Sequence, residues 1–293
     1  MSFYRVIVCG LSHVGKVRPK NEDSFGVFSG DGIASLNPES GFLECLKVRS
    51  LVTAISDGMG GGTAGELASL EVMQTVATFY GKEISFTDLR EFEASIQARI
   101  HLIHRHLLDE GRSDDSKKNM GATLTAAFLH ERGITMAHVG DSRLYRLRKG
   151  SLEMLSVDHS EVWDLVMAGR ITKEQARTYP KKNVLKQILG GNESFRLNPL
   201  VQTYDVKNHD LYLLCSDGIT DGIGDELIHS ILSGTKMEWN EESFMKILRK
   251  LMKEAYNGSG KDNLTAVILG IRNSEKFRVP TLKIPGLSKL SGA

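Results

Sequence analysis

Four aspartates stand where strands would present them together. Asp57 follows the apolar run 51–56 and precedes Gly58-Met59-Gly60-Gly61-Gly62. Asp217 follows the apolar run 211–215, so the tripeptide Ser-Asp-Gly occurs twice, at 56–58 and 216–218. Asp141 closes the run 136–139, and Asp262 stands just before 264–271. A carboxylate at the mouth of a sheet is not easily buried alone, because an unpaired charge there costs several kcal/mol. Four on one rim repel each other unless a cation lies among them. Hard divalent cations, Mg²⁺ or Mn²⁺, take oxygen ligands and keep several waters. The glycines beside Asp57 and Asp217 let the backbone come close, and the Gly58 carbonyl offers a neutral ligand. An Asp-Gly pair taken singly is most often a turn or cap; the repeated placement argues otherwise.

A second cluster supports the same chemistry. Arg18-Pro19-Lys20-Asn21-Glu22-Asp23 lies just before a short strand pattern. As a surface ion pair Arg18 would contribute little. Beside a metal centre, its guanidinium would fork onto phosphate oxygens while Glu22 and Asp23 order metal-bound waters.

These residues need a scaffold. Strand patterns are predicted at 3–9, 24–28, 51–56, 122–130, 134–139, 144–148, 211–215 and 264–271. The three at 122–148 are joined by short turns and read as an antiparallel meander. Helical spacing covers 63–80, with Leu67, Leu70, Met73, Val76, Ala77 and Tyr80 on one face. It recurs at Leu89, Phe92, Ile96, Ile100, Ile103 and Leu107, and again over 243–256. Two helices in succession do not fit a repeating strand–helix fold. The pattern predicts an α+β domain over 1–273, with helices packed outside antiparallel sheets. Residues 158–191 read as a polar, helix-rich insertion with a capping box at Thr172 and Gln175. Residues 274–293, with Lys276, Arg278, Lys283 and Lys289 among prolines and glycines, read as a flexible basic tail.

Composition excludes several classes. The 293 residues are 41% hydrophobic and 25% charged, ordinary for a globular protein. A net charge of +1 lacks the basic field of a nucleic-acid binder. No apolar run approaches the roughly 20 residues that span a bilayer. The start lacks a secretory layout, and three scattered cysteines, Cys9, Cys45 and Cys215, read as core hydrophobes in a reducing cytoplasm.

The motifs, taken in order, resemble the metal-dependent protein phosphatases of type 2C, the PPM family, in its bacterial form. They are Val17-Arg18-x-x-Asn21-Glu22-Asp23, Asp57-Gly58-Met59-Gly60-Gly61, Gly121-Ala122-Thr123-Leu124, Val139-Gly140-Asp141-Ser142-Arg143-Leu144-Tyr145, Asp158-His159-Ser160, Asn183-Val184-Leu185, Ser216-Asp217-Gly218 and Lys261-Asp262-Asn263-Leu264-Thr265. The resemblance implies a β-sandwich of two antiparallel sheets flanked by helices, in four α/β/β/α layers, with 158–191 as a flap. It implies two Mg²⁺ or Mn²⁺ ions held by Asp57, the Gly58 carbonyl, Asp217 and Asp262, with Asp57 bridging. Glu22 and Asp23 would act through metal-bound water. Asp141, with Asp217, would match a third metal position. Arg18 would grip the substrate phosphate. A hydroxide shared by two ions would then hydrolyse phosphoserine and phosphothreonine in proteins. The expected partners are the phosphorylated substrates of a Ser/Thr kinase, met by a cytoplasmic monomer. Met59 stands where animal members often carry a histidine, and methionine cannot donate a proton.

Other readings fit less well. No cysteine has an arginine six positions on, as a cysteine phosphatase requires. Gly60-Gly61-Gly62-Thr63-Ala64-Gly65 satisfies G-x-G-x-x-G, yet Asp57 would face a pyrophosphate with like charge. His101, His104 and His106 read as a solvated helix face rather than zinc ligands. A catalytically silent relative that only binds partners is the remaining alternative, weakened by the complete set of aspartates.

Overall fold

A computed structural model describes residues 2–30, 34–36, 41–60, 63–80, 84–234 and 238–276. Fourteen strands, all paired antiparallel, form two sheets among the described residues. The first runs β10 (Ser151–Met154), β9 (Arg143–Arg148), β13 (Leu211–Cys215), β14 (Leu264–Lys276), β1 (Ser2–His13) and β4 (Phe42–Val48). The second runs β11 (Leu189–Gly190), β6 (Gly121–Ala122), β5 (Leu51–Met59), β7 (Leu124–His130), β8 (Gly133–Val139) and β12 (Leu200–Tyr204). There β2 (Asp23–Ser29) pairs with β5 and carries β3 (Ala34–Leu36).

Strand alternation builds the layers. Val6, Val8, Tyr212, Leu214, Val267 and Leu269 face Phe25, Val27, Leu51 and Ile55 between the sheets. The alternate residues Ile7, Cys9, Leu213, Cys215 and Ile268 meet α5 (Asp217–Gly222), α6 (Asp225–Ser233) and α7 (Glu241–Gly258). On the other outer face, Phe28, Val52, Ala54 and Phe128 meet α1 (Ala64–Tyr80) and α2 (Leu89–Ser113). Because both faces of each sheet are covered, the strands read as near-continuous apolar runs. This is the expected four-layer α+β sandwich.

Several sequence expectations shift. β7 and β8 pair as predicted, but β9 lies in the other sheet, so the chain crosses the sandwich at Gly140–Ser142. The meander is broken because Asp141 and its neighbours turn the chain at the sheet rim. The buried stripe of α1 is Ala64, Ala68, Val72, Met73 and Val76, rotated toward small residues that let the helix approach β5. The closing strand does not stop at 271; it pairs with β1 out to Ser2–Lys276, so 274–276 belong to the sheet. The tail from 277 onward lies outside the described residues. Cys45 is exposed on the edge strand β4, unlike buried Cys9 and Cys215. His104 is buried and accepts a 3.0 Å hydrogen bond from the Gly190 N–H, so the three helix histidines do not form one solvated face.

The insertion folds as α3 (Glu161–Met167) and α4 (Lys173–Arg177), and Thr172 and Gln175 make the expected capping box. It is tied down at both ends. Asp158 is buried against Arg143, which donates to both carboxylate oxygens at 2.7–3.1 Å. At the far end, β11 pairs with β6. Arg177 also donates to the Thr220 and Asp221 carbonyls of α5.

Candidate active site

At one end of the sandwich, strand ends and turns from both sheets surround a cleft of about 250 Å³. Its lining includes Arg18, Glu22, Asp57, Gly58, Asp141, Asp217 and Asp262. Asp57 lies inside β5 rather than beyond its end, directly opposite Asp23, the first residue of β2. Asp217 opens α5, Asp141 sits at the crossing between sheets, and Asp262 precedes β14. Residues separated by more than two hundred positions thus share one rim.

Backbone approach explains the glycines. The Gly58 N–H donates to the Glu22 carbonyl at 3.1 Å. A Cβ on Gly58 would lie 2.0 Å from the Gly65 carbonyl oxygen. One on Gly218 would lie 2.0 Å from that of Asn263. Only glycine permits these contacts.

The electrostatics are those of an acidic site without enough counter-charge. Burial, then the charges of Asp23 and Asp217, holds the Asp57 carboxyl well above the usual range. Burial, then Asp141 and Asp221, does the same to Asp217. Burial pushes Asp141 up to about 7, with Asp158 adding to it. Burial lifts Asp23 to about 6, against hydrogen bonds from Thr265 and Ser216. Glu22 is raised by partial burial. Burial and mutual repulsion thus disfavour the ionised carboxylates, and a cation among them would relieve both.

Two buried oxygens, Asp23 Oδ1 and Asp217 Oδ1, have no hydrogen-bond partner. Such orphans are rare in native proteins and call for an ion or water. The all-oxygen donor set suits Mg²⁺ or Mn²⁺ rather than a soft metal. No three acidic side chains among the described residues close on a single point as ligands wrapped round one ion would. Small hard ions need no such cage, since one or two carboxylates plus waters hold them. The residues present therefore fit divalent cations.

The profile of the family described as Protein phosphatase 2C matches residues 42–268. The chain belongs to this family. The chain is similar to the serine/threonine phosphatase stp of Listeria innocua, with 29% identity over 90% of this chain and 95% of that one. The phosphatase superposes on the serine/threonine phosphatase Stp1 from Staphylococcus aureus with a TM-score of 0.75. That pairing shows 27% identity and covers 91% of this chain and 95% of that one. The catalytic domain of PstP, solved in complex with two manganese ions, matches with a TM-score of 0.69 and 29% identity, over 92% of this chain and all of that one.

Within the phosphatase, several supporting residues carry no obvious chemistry in the sequence. Asn263 accepts from the Glu22 N–H at 2.8 Å and donates to the Val14 and Lys20 carbonyls, fixing the loop that bears Arg18. Thr123 clamps Asp57 from both sides of its backbone: its hydroxyl accepts from the Asp57 N–H and its N–H donates to the Asp57 carbonyl. Ser216 donates to Asp23 Oδ2 at 2.7 Å. Their motifs were visible, but these contacts arise from strands far apart in sequence. Asn183 and Leu185 bring the insertion into the cleft wall. Among the described residues every strand pairing is antiparallel and α2 follows α1, so the G-x-G-x-x-G match does not open a parallel strand–helix–strand unit. Gly61 and Gly62 themselves lie outside the described residues.

Proposed function

We propose that the phosphatase hydrolyses phosphoserine and phosphothreonine esters in proteins with Asp57, the Gly58 carbonyl, Asp217 and Asp262 as the holders of two Mg²⁺ or Mn²⁺ ions. Glu22 and Asp23 would act on water at their margin. Asp141, with Asp217, would hold a third ion. Bound there, the ions supply Lewis-acid polarisation of the phosphoryl oxygens and a nucleophile at neutral pH.

The observation that carries this reading is the set of buried, mutually repelling carboxylates with two orphaned oxygens, beside Arg18. Arg18 is half exposed at the cleft mouth, where its fork can turn from Asp262 to a phosphate. It would orient the ester and offset charge on the equatorial oxygens. Thr123 and Asn263 hold Asp57 and the Glu22 loop in place, which lowers the reorganisation needed when substrate arrives. Met59 at the cleft edge cannot protonate the leaving serine or threonine oxygen, so that proton comes from a cleft carboxyl or from solvent.

The catalytic unit is the sandwich with its insertion. Its setting is proposed as a cytoplasmic monomer acting on the products of a Ser/Thr kinase. No described helix is long and apolar enough to cross a membrane. The deciding assay is turnover of a phosphothreonine peptide with Mn²⁺, with Mg²⁺ and with EDTA, beside Asp217→Asn. Metal-dependent turnover that collapses in the variant establishes the reading. Metal binding by a folded protein that turns over no phosphoester would instead mark a binding module.

A further inference from the structure

Three large apolar side chains stand exposed on segments that carry cleft-lining residues. Met59, at the end of β5, lines the cleft and is 39% exposed. Val17, beside Arg18, is 69% exposed. Val184, between the cleft-lining residues Asn183 and Leu185, is 37% exposed. Single exposed apolar residues are ordinary. Here Met59 and Leu185 line the cleft, and Val17 and Val184 are the immediate chain neighbours of the lining residues Arg18, Asn183 and Leu185.

The backbone is hydrogen-bonded at Met59 and Val184 and beside Val17. Met59 pairs with Gly121 in the sheet. The Lys16 N–H next to Val17 donates to the Gly260 carbonyl at 2.7 Å. Val184 donates to the Lys181 carbonyl and accepts from the Glu161 N–H, both at 3.1 Å, and Leu185 bridges to Ser160. The nearby cations are largely engaged: Lys20 faces Glu66, Lys182 faces Asp221 and Lys186 faces Asp164. With these three charges paired, Val17, Met59 and Val184 offer apolar contact to the residues flanking a phosphoester.

We propose that Val17, Met59 and Val184 are specificity-determining residues. In this assignment they select phosphopeptides carrying a large apolar residue within two positions of the phosphorylated serine or threonine. The inference rests on the phosphatase reading above and names its substrate class. An extended peptide advances about 3.3 Å per residue, so a residue one or two positions away reaches the rim while the phosphate lies beside Arg18. Contact with a non-reacting side chain acts equally on ground and transition states, so the preference appears mainly in KM.

The test compares two phosphothreonine peptides, identical except for leucine or serine at the positions flanking the phosphothreonine, with Mn²⁺ present. Each is measured on the wild type, on Val17→Ser and on Val184→Ser, with p-nitrophenyl phosphate as a substrate that has no flanks. The expected result is a kcat/KM for the leucine peptide about tenfold higher, from burial of one aliphatic side chain. Most of that difference should lie in KM, and it should shrink at least threefold in each variant. Equal kcat/KM for the two peptides, with p-nitrophenyl phosphate still hydrolysed, would overturn this inference and leave the phosphatase reading standing. So would a leucine preference untouched by both substitutions. Hydrolysis of neither peptide nor p-nitrophenyl phosphate would overturn both.

Discussion

Arg18 and Asp262, 244 residues apart, share a 2.7 Å hydrogen bond between guanidinium Nη2 and carboxylate Oδ2. One of the pair is proposed to grip phosphate and the other to hold metal, so each is the other's partner until substrate and ions arrive. The pair is partly exposed, 46% and 22%, where such bonds contribute little to stability. Replacing Arg18 with alanine should therefore leave the melting temperature within about 2 °C, since surface changes stay within roughly 0.5 kcal/mol. Mn²⁺ affinity should hold or rise, because Asp262 loses a competing cation. Phosphopeptide kcat/KM should fall on the order of 10²-fold. Calorimetric metal titration beside steady-state kinetics checks all three.

Asp57 is the most crowded of the carboxylates, raised by burial and by Asp23 and Asp217. Asp57→Asn should abolish activity, by about 10³-fold or more, because several kcal/mol of metal-derived stabilisation go with it. The same change removes a buried repulsive charge, so the metal-free variant should melt no lower than the metal-free wild type. Thermal scans with EDTA and with Mn²⁺ separate the two effects. A metal-free variant that melts well below wild type would show that Asp57 supports the fold by some other contact.

The raised carboxylates set a pH dependence for metal stabilisation. Asp23, at about 6, and Asp141, at about 7, lie above the ordinary aspartate value. The metal-free fold thus holds protons that the unfolded chain has released. Stability from this source is complete below about pH 4 and is lost as pH rises through 6 to 7. Divalent ions must displace those protons. The Mn²⁺-induced rise in melting temperature should therefore be small at pH 5 and grow to pH 8.

Two buried histidines work in the opposite direction. Burial lowers both His130 and His138 to about 4. The unfolded chain takes up protons near pH 6.5 that the fold refuses, so stability is lost as pH falls from about 6.5 toward 4. In EDTA, with the carboxylates opposing it, the urea midpoint should fall further between pH 7 and pH 5 for wild type than for His138→Gln.

Two glycines should separate fold from site. On Gly65 a Cβ would lie 2.5 Å from Glu22 Oε1, the far end of a flexible side chain, and 3.0 Å from the Gly58 backbone carbon. Gly65→Ala should displace Glu22 and weaken Mn²⁺ binding or turnover with a modest change in melting temperature. On Gly58 the obstacle is the Gly65 backbone carbonyl at 2.0 Å. Gly58→Ala should lower the melting temperature markedly, since backbone cannot step aside.

By itself the sequence determined the local pieces. Apolar periodicity located the long helices and most strands, with 211–215 found at the same bounds, because a buried face must repeat with the period of its element. The aspartates stood out as a set, because Ser-Asp-Gly recurs after two apolar runs, and Arg18 stood out through its spacing to Glu22 and Asp23. The short strands β10 and β12 and the helices α5 and α6 were not, because their patterns are brief and half polar. Only the tertiary structure decided that β9 leaves the β7–β8 hairpin for the opposite sheet, that Asp57 lies within β5 facing Asp23, and that Thr123 and Asn263 hold the site. Local propensity cannot encode which sheet a strand joins. That choice follows from burying both faces of every strand at once, and it is this packing that brings the carboxylates to one rim.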